Sequence, residues 1–325
     1  MSQLTAIITP VYEDAASFAE LCRRLRAVEH APGAARFHVI AVDDGSLGDP
    51  PALSALAEAG LSGEILRLGR NVGHQSAIAI GLVRAAQLPD LGACVVMDCD
   101  GEDSPESIPA LLDAVRADSI DVAAAERARR SESLSFRVFY AIYRRLFKLL
   151  TGQVLRFGNF MALSPAALQR LSGMHETGTH VAAAVVKAKL RRADVPTDRG
   201  QRYAGASKMS FPSLVLHGMR AVMVFADLVL TRMALASVAM AALVVVAVAG
   251  ALIAKLLGAA TPGWVTIVTG FALSLFLQTG LFTMITLLVS SLGRVDPPPL
   301  VRARALEFVA RIERVDAPAL AHSAG

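Results

Sequence analysis

Two long stretches without charged side chains most constrain how this chain can fold. The first runs from Met233 to Ala254 and the second from Trp264 to Leu292. Each provides the roughly 20 apolar residues that a helix needs to cross a bilayer. A buried helical pair in a soluble core is the alternative, but soluble helices of this length carry a polar stripe. The sequence therefore predicts two transmembrane helices.

Basic residues around these stretches indicate their orientation. Only Lys255 lies between the two stretches, whereas several arginines and a lysine flank their outer ends: Arg202, Lys208, Arg220, Arg232, Arg294, Arg302, Arg304 and Arg311. By the positive-inside rule, both flanks are cytoplasmic and the hairpin tip lies outside. The N-terminal sequence lacks the basic start and apolar core of a cleavable signal peptide. We expect a multi-pass protein of the inner (cytoplasmic) membrane, with its soluble part and both termini in the cytoplasm.

Composition excludes some other classes of protein. Of 325 residues, 54% are hydrophobic and 18% charged, and the net charge is +4. The isoelectric point near 9.2 fits attraction to anionic lipid better than nucleic-acid binding. No basic stripe is interleaved with aromatic side chains, so we expect no nucleic-acid partner. Cys22, Cys94 and Cys99 form no CxxC pair, and we expect reduced, unbridged thiols.

Short apolar runs alternate with helical patterns in the first half of the chain. The predicted strands are 4–9, 37–42, 63–68, 93–97 and 121–125, and the predicted helices are 15–28, 51–59, 74–86 and 105–117. This alternation predicts an α/β fold with a mostly parallel sheet covered on both faces. Ligands of such sheets bind beyond the carboxyl ends of the strands.

The remaining segments complete a four-part plan. A basic and aromatic helical stretch is predicted for 127–151, and an amphipathic helix lying in the membrane interface for 210–232. The tail holds one more amphipathic segment, 300–314. We expect a soluble domain over 1–209, the interfacial helix over 210–232, a transmembrane hairpin over 233–293 and a cytoplasmic tail over 294–325.

Acidic residues crowd the end of the fourth predicted strand. Asp98, Asp100, Glu102 and Asp103 follow the apolar run that ends at Met97. Such crowding is unfavourable unless positive charge offsets it. Two carboxylates two residues apart can both reach one cation, and hard oxygen ligands suit Mg²⁺ or Mn²⁺. Asp98 and Asp100 are therefore candidate metal ligands, although a DxD pattern alone is a weak signal.

Polar residues also follow the first three strands. Asp43 and Asp44 end the second strand, where they could form a turn or bind a nucleoside. Pro10 and Tyr12, after the first strand, could wall the same pocket. Asn71, Gly73 and His74 follow the third strand at a helix N-terminus, where a phosphate or a base edge could bind; a cap is the alternative role for His74.

These motifs together resemble a known family. "TPVYED", "VDDGS", "GRNVGHQSAIAIGL" and "VVMDCDGEDSPE", in that order and spacing, are similar to family 2 glycosyltransferases with the GT-A fold. "RYAGASKMS" before an interfacial helix and two spans resembles the polyprenyl-phosphate glycosyltransferases, such as the dolichol-phosphate mannose synthases and undecaprenyl-phosphate glucosyltransferases. The resemblance covers nearly the whole chain.

The resemblance implies roles for matching positions. Asp98 and Asp100 would hold Mg²⁺ or Mn²⁺ on the diphosphate of a UDP- or GDP-sugar, with Asp103 as a further polar contact. The other implied donor and phosphate contacts are Pro10, Tyr12, Asp43, Asp44, Arg127 and Arg130. Arg202, Ser207 and Lys208 match a loop that closes over donor and acceptor phosphates. The implied activity is inverting transfer of one sugar to a polyprenyl (undecaprenyl) phosphate by a membrane protein that could form homo-oligomers.

Two positions depart from the family pattern. Glu13 stands where relatives commonly have Asn, which could alter base selectivity, and Asn159 stands where many have Asp in a GDF stretch. A phosphate monoester, with a second pKa near about 6, is mostly dianionic at neutral pH and needs no base. A hydroxyl acceptor does need one. Asn159 thus favours a phosphate acceptor or a catalytically inactive homologue.

Other reactions and motifs are not supported. His175 and His180 in "MHETGTH" are five residues apart, whereas a zinc-binding HExxH needs four. GxSxG, P-loop, GxGxxG and QxxRW patterns are missing. Two alternatives stay open: transfer to a membrane lipid hydroxyl, and a non-catalytic scaffold that binds a nucleotide sugar.

Overall fold

The chain divides into two units that contain different kinds of structure. A computed structural model describes residues 4–31, 34–117, 119–127, 134–198, 200–204, 211–259, 261, 263–292 and 298–316. The first unit comprises Met1–Arg144, Gln153–Val224 and Asp296–Gly325. The second comprises Arg145–Gly152 and Phe225–Val295. The chain thus leaves the first unit and returns to it after the apolar stretches.

The first unit contains the strands. In chain order they are β1 (Leu4–Val11), β2 (Arg36–Asp43), β3 (Ser62–Leu68), β4 (Leu91–Val96), β5 (Val122–Arg127), β6 (Met161–Leu163), β7 (Arg192–Thr197) and β8 (Val309–Val315). The five strands predicted from apolar runs are all confirmed, with ends shifted by one or two residues. β1, β2 and β4 are buried along most of their length because helices cover both faces of the sheet.

The helices between the strands follow the predicted alternation. They are α1 (Ala15–Glu29), α2 (Leu53–Ala59), α3 (His74–Ala85), α4 (Ile108–Arg116), α5 (Leu134–Thr151), α6 (Pro165–Ser172), α7 (Glu176–Thr179), α8 (Val181–Lys187), α9 (Phe211–Met223), α10 (Ala226–Leu256), α11 (Trp264–Leu292) and α12 (Pro298–Leu306). The side chain of Asp14 caps α1 by accepting from Ser17 N, and Ser164 caps α6 in the same way from Ala167 N.

The sheet is mixed but mostly parallel, as predicted. Its strand order is β7-β5-β6-β4-β1-β2-β3-β8, and four of the seven pairings are parallel. The chain moves from β1 to β2 and β3 on one side and places β4 on the other. Such a reversal of strand order opens a crevice beyond the carboxyl ends of β1 and β4.

The register aligns these carboxyl ends. Val11 pairs with Asp43 across β1 and β2, and Ile8 pairs with Val96 across β1 and β4. Met97 N continues the second ladder by donating to Ile8 O at 3.0 Å. The acidic residues after β4 and the polar residues after β1 and β2 therefore emerge at one edge of the sheet.

Three predicted segments differ from the structure. The helical stretch predicted from residue 127 cannot include Arg127, which belongs to β5, and the described helix spans Leu134–Thr151. The predicted interfacial helix over 210–232 ends at Met223, and a new helix starts at Ala226. The buried Val224 and Phe225 separate the two helices. Asp227 and Arg232, assigned from sequence to the amphipathic helix, thus lie in α10.

The tail is the largest correction. The amphipathic segment predicted for 300–314 is instead the short helix α12 followed by strand β8, which pairs antiparallel with β3. Val309, Ile312 and Val315 are three residues apart, a spacing that imitates a helical face. The unpaired backbone of edge strand β3 favours a strand here, since its N–H and C=O groups gain partners.

The second unit consists mainly of α10 and α11. Both are long and apolar enough to cross a membrane over Ala226–Leu256 and Trp264–Ile285. Within this unit, Phe225 packs edge to face on Phe147 with ring centroids 5.9 Å apart. Arg232 Nη1 donates to Leu149 O at 2.8 Å. The predicted pair of apolar helices is therefore present, with the first helix extended by about two turns at its N-terminal end.

Close packing of α3 on the sheet places the N-terminus of α3 at the strand ends. Gly81 lies on the buried face of α3, where an added Cβ would stand 2.5 Å from Ile8 Cγ2 and 3.2 Å from Val42 Cγ2. Any larger side chain would push the helix away from β1 and β2. Gly178 offers a contrast, because its added Cβ would meet only Ala79 Cβ at 3.9 Å.

Gly81→Ala should therefore lower the melting temperature of the detergent-solubilised chain, although Ala is the better helix former. Overpacking costs about 1–3 kcal/mol, which corresponds to a fall of roughly 3–10 °C for a domain of this size. Gly178→Ala is the matched control and should melt within about 2 °C of the unaltered protein. Equal melting of both variants would show that α3 is not packed this tightly.

Candidate active site

The acidic residues after β4 form a tight turn. Asp98 N donates to Asp103 Oδ2 at 3.0 Å, and Glu102 N donates to Asp100 Oδ1 at 2.9 Å. Asp103 is buried. Gly101, with φ of +91°, allows the reversal, and an added Cβ there would lie 2.7 Å from Gln201 O. The turn thus brings the carboxylates together instead of spreading them along a strand.

Two basic side chains offset this negative charge. His74 Nε2 lies 3.3 Å from Asp98 Oδ1. Arg202 Nη2 donates to Asp100 Oδ2 at 2.6 Å, and its Nε lies 3.4 Å from Glu102 Oε1. Among the described residues, Arg202 and His74 therefore offset part of the charge of the carboxylates in the turn.

Backbone contacts hold the segment that carries Arg202 on the acidic turn. Tyr203 N donates to Asp100 O at 2.9 Å, and Gly200 N donates to Glu102 O at 3.0 Å. Arg24 stacks on the Tyr203 ring at 4.8 Å from its centroid. This anchoring fixes where Arg202 approaches the carboxylates.

Protonation of the turn follows from burial and crowding. Burial raises the pKa of Asp100, and the neighbouring Asp98 carboxylate adds to the effect against the opposing Glu102 N–H and Arg202. Burial opposes a charged His74, but the carboxylates of Asp98, Asp103 and Asp44 outweigh it, so the pKa of His74 lies above its ordinary value. A cation at this turn is thus electrostatically favoured.

The two aspartates after β2 organise the neighbouring loops. Asp44 accepts from Val72 N at 2.7 Å and Gly73 N at 2.9 Å, which holds the loop before α3. Burial nevertheless raises the pKa of Asp44. Asp43 accepts from Ser46 N at 3.0 Å and from Arg67 Nη1 at 2.9 Å. Both carboxylates therefore hold the backbone of the loops at this edge of the sheet.

Glu13 holds the loop that follows β2 through hydrogen bonds. Its carboxylate accepts from the backbone N–H groups of Leu47, Gly48 and Asp49, and its own N–H donates to Ser46 Oγ at 2.8 Å. Glu13 has φ of +49°, a left-handed conformation that Asn adopts more readily. The backbone hydrogen bonds offset the cost of a glutamate at this position.

Asn159 is joined to the first two residues of α3. Its Oδ1 accepts from Gln75 Nε2 at 3.3 Å, and its Nδ2 lies 3.1 Å from His74 Nε2. Gln75 is oriented by Val181 N, which donates to Gln75 Oε1 at 2.7 Å. Since the amide orientation of Gln75 is fixed in this way, that of Asn159 follows from it.

The neighbours of His74 make opposite demands on its Nε2 atom. Asn159 Nδ2–H needs a lone pair there, whereas Asp98 Oδ1 needs a proton. An aspartate at position 159 would remove the conflict by accepting from a protonated His74. Asn159 therefore favours the neutral imidazole, and Asp98 favours the charged one.

Two further histidines, at the start of α8 and in α9, pack on each other. The rings of His180 and His217 are 4.4 Å apart between centroids, and His180 Nδ1 accepts from Ala183 N at 3.3 Å. Burial, with some effect from His217, lowers the pKa of His180 to about 3. Burial and then His74 lower the pKa of His217. His180 is thus a neutral helix cap of α8.

The other predicted site residues have mixed outcomes. Pro10 lies within β1, Tyr12 is half-exposed and Asn71 is exposed. Arg127 ends β5. Arg130, Ser207 and Lys208 lie outside the described residues, so their predicted roles stay predictions.

The described residues that sequence reasoning missed include Gln75, Arg67 and Glu313. Gln75 follows His74 in a quoted motif and could have been noticed. Arg67 and Glu313 are far apart in sequence, and their contact depends on the pairing of β3 with β8.

Curated relatives match the part of the chain that holds this site. An undecaprenyl-phosphate 4-deoxy-4-formamido-L-arabinose transferase from Klebsiella pneumoniae is 28% identical over 216 residues. A protein with the same name from Sodalis glossinidius is 31% identical over 216 residues. Each match covers 65% of this chain and 64% of the relative.

Solved structures share the fold. The glucosyl-3-phosphoglycerate synthase of Mycobacterium tuberculosis, in complex with Mg²⁺ and uridine diphosphate, has a TM-score of 0.50 at 14% identity and covers 70% of this chain and 79% of its own. Mannosyl-3-phosphoglycerate synthase from Rubrobacter xylanophilus also has a TM-score of 0.50 at 14% identity, with 69% and 73% covered. At such low identity the likeness concerns the fold alone, which is the predicted GT-A-like α/β fold.

A family model identifies the chain at the level of sequence. The model for "Glycosyl transferase family 2" matches residues 6–178, which include the acidic turn, the loop before α3 and Asn159. Because this match covers more than half of the chain, the protein belongs to glycosyl transferase family 2.

Proposed function

We propose that the protein transfers one sugar from a UDP- or GDP-sugar to a polyprenyl phosphate, with inversion at the anomeric carbon. The observation that carries this proposal is the acidic turn after β4. It lies beside the polar ends of β1 and β2 in a family 2 domain, on a chain with two helices able to cross a membrane. The names of the curated relatives, which are undecaprenyl-phosphate transferases, support the acceptor class.

The donor's nucleoside would bind at the ends of β1 and β2. Asp43 and Asp44 lie there on hydrogen-bonded loops, and Glu13 fixes the loop that follows them. Tyr12 presents a half-exposed ring beside these groups. This preformed edge would position the base and ribose, so that the diphosphate extends toward the turn after β4.

The residues of the turn fit a divalent cation such as Mg²⁺ or Mn²⁺. Among the described residues, no three His, Cys, Asp or Glu side chains are arranged to hold a metal ion. Asp98 and Asp100 would hold the ion together with donor phosphate oxygens, a common arrangement for Mg²⁺. When bound, the ion would offset charge that grows on the departing diphosphate. Arg202, which forms an ion pair with Asp100 in this structure, would then be free to contact phosphate groups.

The acceptor would attack without a protein base. A phosphate oxygen forms the bond to the anomeric carbon while the bond from that carbon to the diphosphate oxygen breaks, and the nucleoside diphosphate leaves. No proton has to be removed from a phosphate dianion. Asn159, an amide held by Gln75, is suited to orienting groups and not to accepting a proton.

The chain path supports the proposed membrane arrangement. β8 follows the two apolar helices and pairs with β3, which precedes them, and this pairing favours both flanks in one compartment. Two crossings meet this requirement, in agreement with the basic flanks. We place this compartment in the cytoplasm and the helices in the inner membrane.

Asp98→Asn and Asp100→Asn should each reduce transfer by about 100-fold or more, since a site that stabilises the leaving group loses a charged ligand. The assay offers labelled UDP- and GDP-sugars, undecaprenyl phosphate and Mn²⁺ or Mg²⁺ to the detergent-solubilised chain and extracts the lipid product. EDTA should abolish the product. Asp113→Asn, on the exposed face of α4, is the control and should leave transfer unchanged. Full activity of the Asp98 and Asp100 variants would refute the metal assignment.

Asn159→Asp tests the class of acceptor. With a phosphate acceptor, the added negative charge should lower kcat/KM roughly 3- to 10-fold, because it repels the attacking dianion. The rate of the unaltered protein should also fall about tenfold per pH unit below pH 6, as the acceptor becomes protonated. A rate increase in Asn159→Asp would indicate an acceptor hydroxyl that needs a base. Nucleotide binding without any transfer would support the scaffold alternative.

A further inference from the structure

Strand β8 carries two neighbouring ion pairs on opposite faces of the sheet. Glu313 pairs with Arg67, and Arg314 pairs with Glu64. Successive side chains of a strand alternate between faces, so adjacent residues of β8 reach different environments. Both partners, Arg67 and Glu64, lie on β3. The register places Glu64 directly opposite Arg314 and Ile65 directly opposite Glu313, so Arg67 lies two residues further along β3 on the face of Glu313.

Arg67 bridges two carboxylates from different strands. Its Nη1 donates to Asp43 Oδ2 at 2.9 Å, while its Nη2 donates to Glu313 Oε2 at 3.2 Å. The register pairs Asp43 with Arg67 directly and places Glu313 diagonally across from Arg67. Asp43 is only 3% exposed, and its carboxylate accepts from this guanidinium and from the N–H of Ser46.

Glu313 also offsets an unfavourable pairing. The register places Arg311 of β8 directly opposite Arg67 of β3, and like charges directly opposite are destabilising. Glu313 lies between them, because Arg311 Nη2 contacts Glu313 Oε1 at 3.0 Å. Without this carboxylate, Arg67 would face Arg311 and would lose one of the two partners that set its rotamer.

We propose that Glu313 is a positioning residue of the nucleoside site and acts through Arg67 on Asp43. The proposal rests on the proposed function, since it requires that Asp43 line the site of the nucleotide donor. The strand that follows the two apolar helices thereby contributes to donor binding, although Glu313 itself contacts no substrate. Arg67 needs both carboxylates to keep its fork in the plane that orients Asp43.

Arg314 provides a matched control on the same strand. Arg314 Nε lies 3.1 Å from Glu64 Oε2, on the face away from Asp43. Arg314 is 63% exposed, and Glu64 keeps a second partner in Arg84, whose Nε donates at 2.6 Å. Arg314→Gln therefore removes one ion pair between β8 and β3 without touching the Arg67 bridge.

The experiment compares Glu313→Gln with Arg314→Gln in the full detergent-solubilised chain. The affinities for UDP and GDP are measured by calorimetry with Mn²⁺ present, and kcat and donor KM are measured by lipid transfer. Glu313→Gln should weaken nucleotide binding and raise donor KM roughly 3- to 10-fold at nearly constant kcat. Arg314→Gln should leave both values unchanged, although the melting temperatures of the two variants fall by similar amounts. Arg67→Lys should resemble Glu313→Gln, because one ammonium group does not hold both carboxylates in the same geometry.

Each other result overturns a defined part of this account. If both β8 variants bind nucleotide equally weakly, β8 has only a structural role at the edge of the sheet. If Glu313→Gln binds nucleotide as well as the unaltered protein, the proposed effect of Glu313 on Asp43 through Arg67 is refuted. If the unaltered protein binds nucleotide but transfers no sugar, and only Glu313→Gln weakens binding, the proposed function fails while the positioning role stands. If it binds neither UDP nor GDP, the nucleoside site is wrong and this inference falls with it.

Discussion

Repulsion among the carboxylates of the turn after β4 is the constraint on which the rest of the site depends. Asp98, Asp100, Glu102 and Asp103 lie within six residues, and burial raises the pKa of Asp100 further. The fold meets this cost with backbone N–H groups inside the turn and with positive charge from two other segments. His74 comes from the N-terminus of α3 and Arg202 from the stretch before α9. Both segments are therefore tied to the turn by electrostatics as well as by packing. In the proposed reaction, a divalent cation with donor phosphates would replace part of this internal compensation, and donor binding would then be linked to the contact between Arg202 and Asp100.

In the proposed reaction, the chemistry available to the acceptor would depend on the amide group of Asn159. Val181 N orients Gln75, Gln75 orients Asn159, and Asn159 then offers an N–H to His74. Asp98 competes for the same ring nitrogen with the opposite requirement. A cation held by Asp98 would withdraw that carboxylate from His74 and leave the imidazole neutral, in agreement with the demand of Asn159. The hydrogen-bond requirements of Asn159 and Asp98 would thus no longer conflict if donor and cation were bound as proposed. Asn159 offers an N–H group at a position where transfer to a hydroxyl group would require a base. A phosphate group as the sugar acceptor therefore fits this site better.

Local sequence patterns were sufficient for the strands and for the motifs at their ends, but not for contacts that depend on distant pairing. The five apolar runs and the position of His74 at a helix start were predictable because burial and turn chemistry are local properties. The tail was predicted wrongly, since the spacing of Val309, Ile312 and Val315 fits a helix until the open edge of β3 is known. The end of α9 at Met223 was missed for a similar reason: the apolar pattern continues through the break. Arg67 carried no signal, because its two partners are 24 and 246 residues away.

The return of the chain to the sheet after the apolar helices has a consequence for how the domain is completed. Without β8, β3 would be an edge strand that bears Glu64, a carboxylate only 1% exposed in the described structure. Arg84 would remain as its partner, but the N–H and C=O groups along β3 would be unpaired. Residues 309–315 are synthesised only after both apolar helices, so the sheet edge and the second carboxylate on Arg67 are acquired last. A fragment that ends before α10 would therefore keep the acidic turn and lose one of the supports of Asp43. The sheet of the first unit is thus completed by residues that lie on both sides of the two apolar helices in sequence.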